Sequence, residues 1–135
     1  MEIIGRGPTL AGALMGALCV REMTRVRVFA HSGGGFRHGL LLDVSPGRVA
    51  IILALGQTAN LGMRLTEDYL SRGGKVVLVT AAGDARRSEG IFPIRVQQAP
   101  EPWEGLTSVI VPQALILALA EHLGSNYLRV QTTSE

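Results

Sequence analysis

The sequence predicts an α/β domain built on an open, doubly wound sheet of about five parallel strands with helices on both faces. Short β-rich apolar runs alternate along the chain with longer segments of helix-forming residues. Two of these runs, RVAIILAL at 48–55 and KVVLVTAAG at 75–83, are almost entirely apolar after their first residue, as strands buried on both faces are. The length of 135 residues, 47% hydrophobic and 18% charged, suits one domain with its own core.

The first half of the chain yields two strands and one helix. EIIG at 2–5 is a short strand, and PTLAGALMGALCVREM at 8–23 is rich in helix formers. RVRVFA at 25–30 alternates charged with β-branched or aromatic residues, which predicts a partly exposed strand. HSGGGFRHG at 31–39 is predicted as a loop over the carboxyl edge of the sheet, and His31, like His122, as a surface residue without a role.

The second half continues the alternation. The turn SPG precedes the strand at 48–55, and a helix is predicted over LGMRLTEDYLSRGG at 61–74, where two glycines suit its end. IFPIRV at 91–96 follows the strand KVVLVTAAG as a fifth strand, placed at an edge by its proline. SVIVPQALILALAEHLG at 108–124 is predicted as a buried helix, too short and too polar to span a bilayer.

Composition and motifs exclude several classes of function. The formal charge is +2, the basic residues are scattered and aromatics make up 4%, so nucleic acid is not expected as a partner. The single Cys19 and the absence of a basic N-terminal region before a long apolar segment favour a cytoplasmic protein without a membrane partner. The histidines show no metal-ligand spacing, and Leu10 replaces the third glycine of a dinucleotide fingerprint, so neither metal nor cofactor is predicted.

Two glycine-containing loops are candidate ligand sites. In a doubly wound sheet, ligands bind beyond the carboxyl ends of the strands, where backbone N–H groups and helix N-termini favour anions. One loop follows the first strand and the other follows the third. Their glycines permit close backbone approach, and Thr9 offers a hydroxyl. The candidate residues are Gly5, Arg6, Gly7 and Thr9 in the first loop, and Gly56, Gln57 and Thr58 in the second.

A resemblance to a known family covers nearly the whole chain. The run GRGPTLAGALMGALCVREM at 5–23, followed 16 residues after Glu22 by a His-Gly pair, resembles the second sugar isomerase (SIS) domain of glucosamine-6-phosphate synthase, the glutamine-fructose-6-phosphate aminotransferase. RGGKVVLVTAAGD at 72–84 and the terminal YLRVQTTSE are similar to the same family. The resemblance implies a single flavodoxin-like SIS domain over residues 1–135, with residues 125–135 as a C-terminal tail.

The resemblance also implies roles for individual residues. Glu22 stands where the family has the glutamate that moves a proton between C1 and C2 of the sugar, and His38 where it has the histidine that helps to open the ring. A carboxylate and an imidazole suit such proton transfers because their pKa values can be tuned towards neutrality. Arg37 replaces a lysine and keeps its charge. Gly35 and Arg37 are assigned to substrate binding, beside the catalytic Glu22 and His38.

Other positions depart from the family pattern. Cys19 stands where the family has a catalytic lysine, and Gly35 replaces a glutamate. The tail lysine that forms a Schiff base has no lysine counterpart, and the nearest candidate is Arg129, whose guanidinium stays protonated and cannot form an imine. The serine-rich phosphate loop of the family is reduced to ALGQT, which keeps only Gly56 and Thr58.

Three hypotheses follow for function. The first is a phosphosugar isomerase or aminotransferase type of domain that acts on a hexose 6-phosphate or amino-hexose 6-phosphate and is completed by a homodimer or by another SIS domain. The second is a non-catalytic sugar-phosphate sensor or regulatory module, which the missing lysine and serines favour. The third is one half of a two-subunit SIS enzyme. Proton exchange at C2 of a bound sugar phosphate separates the first from the second.

Overall fold

Five parallel strands form one sheet in the order β2-β1-β3-β4-β5. This is a computed structural model, and it describes residues 1–101 and 103–124. Because β1 pairs with β2 on one side and with β3 on the other, the direction of winding reverses between β1 and β3. The predicted open, doubly wound parallel sheet is confirmed. The strands are β1 (Glu2–Gly5), β2 (Phe29–Ser32), β3 (Val49–Ala54), β4 (Lys75–Thr80) and β5 (Ile91–Arg95).

Four helices cover the two faces of the sheet. Successive strand residues point to opposite faces, so Ile3 packs in one core and Ile4 in the other. One face carries α1 and α4, and the other carries α2 and α3. The predicted edge position of β5 is also confirmed, with Pro93 inside the edge strand. The helices are α1 (Thr9–Thr24), α2 (Gly33–Arg37), α3 (Ala59–Ser71) and α4 (Glu104–His122).

The helices α1 and α4 cross at very short distance. A Cβ on Gly12 would overlap the backbone of Ser108, and one on Gly16 would lie 2.9 Å from the Cβ of Pro112. Pro112 has no N–H to donate to the carbonyl four residues earlier in its helix, which is that of Ser108. The close crossing therefore places Gly12 of α1 against Ser108, whose carbonyl receives no helix hydrogen bond from residue 112.

The prediction of a buried last helix is wrong. Only one stripe of α4 is buried, at intervals of four residues, and the opposite side exposes large apolar side chains such as Ile110 at 54% exposure. By length and composition alone, α4 is also long and apolar enough to cross a membrane, so the expectation that it is too short and too polar is corrected. In the fold, 22% of its most apolar 18-residue stretch is buried. The buried stripe consists of Glu104, Ser108, Pro112, Ile116 and Ala120.

The predictions for residues 25–39 also need correction. The second strand begins at Phe29 rather than Arg25, because Arg25 takes a left-handed conformation (φ 57°) as the C-cap of α1. The glycine run is not a loop: β2 extends to Ser32, whose Oγ accepts a hydrogen bond from the Gly35 N–H and caps the short helix α2. A 3-10 helix, Leu40–Asp43, follows and leads back towards β3.

Candidate functional site

The turn after β1 is built around contacts between Gly5 and Thr9. A Cβ on Gly5 would overlap the backbone carbonyl of Thr9, so only glycine lets α1 begin this close to the strand. The Thr9 hydroxyl accepts a hydrogen bond from the Arg6 N–H (2.8 Å) and donates to the Arg6 carbonyl (2.9 Å). Since Thr9 is 1% exposed, its hydroxyl closes the turn and is not presented to a ligand, contrary to the expectation from sequence.

Arg6 supplies the positive charge of this turn and directly follows β1. Its side chain lies against α2, where a Cβ on Gly33 would approach the Arg6 Nε to 2.7 Å. That Nε is buried and has no hydrogen-bond partner among the residues that the structure describes. Arg6, Gly5, Gly33 and Thr58 line a crevice of about 10 Å³ between β1 and β3, which has room for about one water.

The second loop is covered by carboxylates. Gly56 has a positive φ of 61°, and the Glu104 carboxylate from the first turn of α4 occupies the space that a Cβ at this position would fill. The side-chain amide of Gln57 donates to Glu101 Oε2 at 3.0 Å. The loop that corresponds to the family's phosphate loop therefore faces two acidic side chains, which oppose the approach of a dianionic phosphate.

The electrostatics of Glu104 follow from this placement. The residue is 3% exposed, and burial raises the pKa of its carboxyl group because water no longer solvates the charged form. A hydrogen bond with the Glu101 side chain, and then the charge of Glu101, raise the pKa further. Two adjacent carboxyl groups favour sharing a proton, so Glu104 is a hydrogen-bond donor over a wider pH range than an exposed glutamate.

Glu22 lies at the opposite end of the molecule from these loops. It is exposed in the last turns of α1, thirteen residues after Thr9. At 1.5 Å per residue, the helix carries Glu22 about 20 Å from the carboxyl edge of its own sheet. A hexose held at Arg6 or Gly56 does not reach the Glu22 of the same chain.

His38 stands apart from Glu22 as well. His38 is the exposed C-cap residue of α2, on the face of the sheet opposite to α1, and its N–H donates to the Gly35 carbonyl. The preceding Arg37 forms an ion pair with Asp68 of α3. The fold thus brings Arg6, Gly33 and Thr58 together, and Gln57 with the two glutamates, but it separates Glu22 from His38 and from both loops.

Comparison with known proteins identifies the family. The SIS domain model matches residues 1–122. The chain belongs to the SIS domain family. Glutamine–fructose-6-phosphate aminotransferase (isomerizing) from Shouchella clausii is 29% identical over 122 residues, which are 90% of this chain and 20% of the relative. The chain therefore spans about a fifth of the length of this relative.

Solved structures share the fold. The C-terminal domain of glucosamine-fructose-6-phosphate aminotransferase from Francisella tularensis superimposes with a TM-score of 0.76 at 20% identity, covering 93% of this chain and 37% of that one. Tagatose-6-phosphate ketose/aldose isomerase from Escherichia coli superimposes with a TM-score of 0.68 at 20% identity, covering 93% of this chain and 37% of that one. The resemblance inferred from the sequence is confirmed at the level of family and fold.

The sequence did not point to several residues that shape this SIS domain. Glu101 and Glu104 carry no motif, and their contact with the second loop arises only when α4 packs across α1. Glu2 belongs to the predicted first strand, and in the structure it is 7% exposed and pairs with His31, a residue that the sequence predicts at the surface. Arg129 and the rest of the tail lie outside the described residues. In residues 1–101 and 103–124, no group of His, Cys, Asp or Glu could hold a metal ion.

Proposed function

We propose that this SIS domain binds a hexose 6-phosphate or amino-hexose 6-phosphate in a site shared with a second SIS domain, and that the pair performs aldose-ketose isomerisation. The observation that carries the shared site is the position of Glu22, about 20 Å along α1 from the carboxyl edge of its own sheet. A carboxylate so placed acts on a sugar only when another domain brings that sugar to it.

The surface around Glu22 supports such a pairing. Glu22 lies on the exposed side of α1, on the same stripe as Leu14, Leu18 and the nearby Met15. The exposed side of α4 also carries large apolar side chains. A partner that covers both helices also covers Glu22, and exposed apolar surface of this kind marks protein interfaces. The exposed apolar residues of this α1–α4 surface are Leu14, Met15 and Leu18 on α1, and Leu106, Ile110 and Leu117 on α4.

The chemistry divides between the two domains. Arg6 of one domain contacts the phosphate, because its buried Nε lacks a partner and a guanidinium binds phosphate oxygens well. Glu22 of the other domain takes the proton from C2 of the open-chain aldose and returns it to C1, while the proton of the O2 hydroxyl passes to O1, so that the carbonyl moves from C1 to C2. His38 donates a proton to the ring oxygen as the ring opens and takes up the proton that leaves the O1 hydroxyl. No net proton is gained or lost in the isomerisation.

Complementation between two inactive variants tests the shared site. Glu22→Gln and Arg6→Ala each remove one half of the proposed machinery, and each is expected to abolish exchange of the C2 hydrogen of a hexose 6-phosphate in deuterated water. A mixed dimer carries one doubly altered site and one intact site. Mixing the two variants is therefore expected to restore about a quarter of the wild-type rate, since half of the dimers formed at random are mixed.

The control is the double variant Glu22→Gln/Arg6→Ala mixed with wild-type chain, in which no mixed dimer keeps an intact site. All activity of this mixture is expected to come from the wild-type homodimers that remain. If the two single variants do not complement while both remain folded and dimeric, the sharing of Arg6 and Glu22 across the interface is wrong.

A second candidate function is a sugar-phosphate sensor without catalysis. The two carboxylates over the Gly56 loop favour it, because they weaken phosphate binding at a position where catalysis needs a firmly held substrate. A sensor binds a sugar phosphate saturably and leaves the hydrogen at C2 unexchanged. The deuterium experiment therefore decides between the two candidates once binding has been detected by calorimetry.

A further inference from the structure

A second cavity lies at the amino edge of the sheet, on the face covered by α2 and α3. It has a volume of about 250 Å³. Its lining includes the buried Glu2 and the exposed Phe29, which begin β1 and β2, and the exposed Leu40. None of the residues assigned above to the sugar phosphate lines this amino-edge cavity. The lining residues are Glu2, Phe29, His31, Phe36, Leu40, Asp43, Val44, Arg48 and Tyr69.

The walls of the amino-edge cavity are aromatic. The Phe36 and Tyr69 rings stack with centroids 6.0 Å apart, and the His31 ring lies 5.4 Å from Phe36. Phe29 extends the series, with its ring centroid 6.4 Å from that of His31. The rings are tilted against their neighbours by 26° to 54°, and a planar ring placed among them gains offset-stacked or edge-to-face contacts.

Polar groups converge at the buried end. The Glu2 carboxylate pairs with His31 Nε2 at 2.9 Å through one oxygen, and accepts from the Arg48 guanidinium at 3.4 Å through the other. An ionised carboxylate has about four acceptor positions, so Glu2 keeps capacity for a further donor. Glu2 therefore supplies an oriented acceptor inside a mostly apolar cavity.

The Tyr69 hydroxyl has no partner. Tyr69 is 0% exposed, and its buried hydroxyl makes no hydrogen bond with the residues that the structure describes. Burial, followed by the charge of Glu2, raises its pKa to about 12, while Arg48 acts in the opposite direction. The hydroxyl thus stays protonated and is a donor without an acceptor. Buried polar groups in folded proteins nearly always have partners, so this hydroxyl is available to an acceptor bound in the cavity.

We propose that the amino-edge cavity binds a small, planar, uncharged aromatic or heteroaromatic molecule that carries an amide-type edge, with one acceptor beside one donor. The acceptor takes the Tyr69 hydroxyl and the donor takes the Glu2 carboxylate. The ring lies among Phe29, Phe36 and Tyr69. A volume of 250 Å³ is just below the usual range of about 300–1,000 Å³ for small-molecule sites, which limits the ligand to one or two rings.

Benzamide is a suitable probe because it joins a planar ring to one amide edge. Titrated at millimolar concentration into the full chain labelled with ¹⁵N, it is expected to shift the amide signals of His31, Leu40 and Asp43 saturably. Cyclohexanecarboxamide keeps the amide but lacks the aromatic ring, and is expected to bind several-fold more weakly. Tyr69→Phe keeps the ring and its packing but removes the donor, and is expected to weaken benzamide binding about fivefold.

Two further measurements separate a lost ligand contact from a lost fold. The thermal midpoint of Tyr69→Phe is expected to match or exceed that of the wild type, since the change removes an unpaired buried hydroxyl. Phe29→Ala alters an exposed wall of the cavity and is expected to weaken benzamide but not cyclohexanecarboxamide. The proposal is overturned if benzamide gives no saturable shift, if both amides bind equally, or if Tyr69→Phe binds benzamide as the wild type does. None of these outcomes depends on sugar-phosphate binding.

Discussion

The Glu104 carboxylate lies directly against the Cα of Gly56, so the second loop of the carboxyl edge is closed by a buried acid from α4. Gly56 has a left-handed backbone conformation, which a side chain adopts only with strain. Two separate requirements for glycine therefore coincide at this position. The two requirements can be measured separately because Gly7 also has a positive φ, but a Cβ there meets no atom within 4 Å.

Gly56→Ala is expected to destabilise the fold more than Gly7→Ala. Both glycines have positive φ, 61° and 53°, which costs an alanine roughly 1–2 kcal/mol. A Cβ on Gly7 meets nothing within 4 Å, whereas one on Gly56 overlaps Glu104, which adds about 1–3 kcal/mol. Urea unfolding of both variants measures the difference. In a Glu104→Ala background the two substitutions should cost the same, and a persistent gap would assign the excess to another contact.

Glu104→Gln is expected to change how stability depends on pH. Because the pKa of Glu104 is raised in the folded state, the folded chain holds this proton more tightly than the unfolded chain. The contribution is therefore fully present below the ordinary pKa of glutamate and is lost as pH rises through the raised pKa. Glutamine keeps the shape without titrating, so the variant should gain free energy of unfolding relative to wild type between mildly acidic and neutral pH.

The matched control for this prediction is Glu121→Gln, which alters an exposed glutamate near the other end of α4. Denaturant unfolding at a series of pH values measures both variants. Equal pH profiles for Glu104→Gln and wild type would show that the Glu104 proton does not contribute to stability.

Phosphate affinity is expected to rise when the acids over the Gly56 loop are neutralised. Glu101→Gln/Glu104→Gln removes two carboxyl groups beside the loop, and a unit charge 4 Å from an anion is worth between about 1 and 4 kcal/mol depending on the effective dielectric. Calorimetric titration with a hexose 6-phosphate at neutral pH should therefore give at least about fivefold tighter binding. Unchanged affinity would mean that the phosphate is held away from this loop, at Arg6 alone.

The sheet was predictable from sequence because its signals are local. The runs at 48–55 and 75–83 are almost entirely apolar after their first residue, as buried parallel strands require, and they form β3 and β4. The short helix α2 was missed because three glycines have low helix propensity, and it forms because Ser32 caps it and Phe36 is buried beneath it.

The candidate site was less predictable because its contacts join distant parts of the chain. Glu104 meets Gly56, and Glu2 meets His31, only after the helices and strands have packed. Glu22 and His38 were identified through the family resemblance, which carries no information on distance. Their separation across the sheet follows from helix length and from the face on which each helix packs.

Ile110→Glu is expected to dissociate the proposed pair of SIS domains. Ile110 is 54% exposed on α4, so a glutamate there faces solvent in the monomer and leaves its fold intact. In a pair that buries this surface, the same carboxylate loses its water without gaining a partner, which costs several kcal/mol. Sedimentation equilibrium should show dimers for the wild type and monomers for the variant.

Leu61→Glu is the matched control for this change. Leu61 is 42% exposed on α3, which covers the opposite face of the sheet, so Leu61→Glu should leave the dimer unaffected.

Loss of C2 exchange should accompany dissociation in Ile110→Glu, because in the monomer no Arg6 lies close to Glu22. A variant that is monomeric and still exchanges the C2 hydrogen would contradict the shared site, since one chain would then suffice for the reaction.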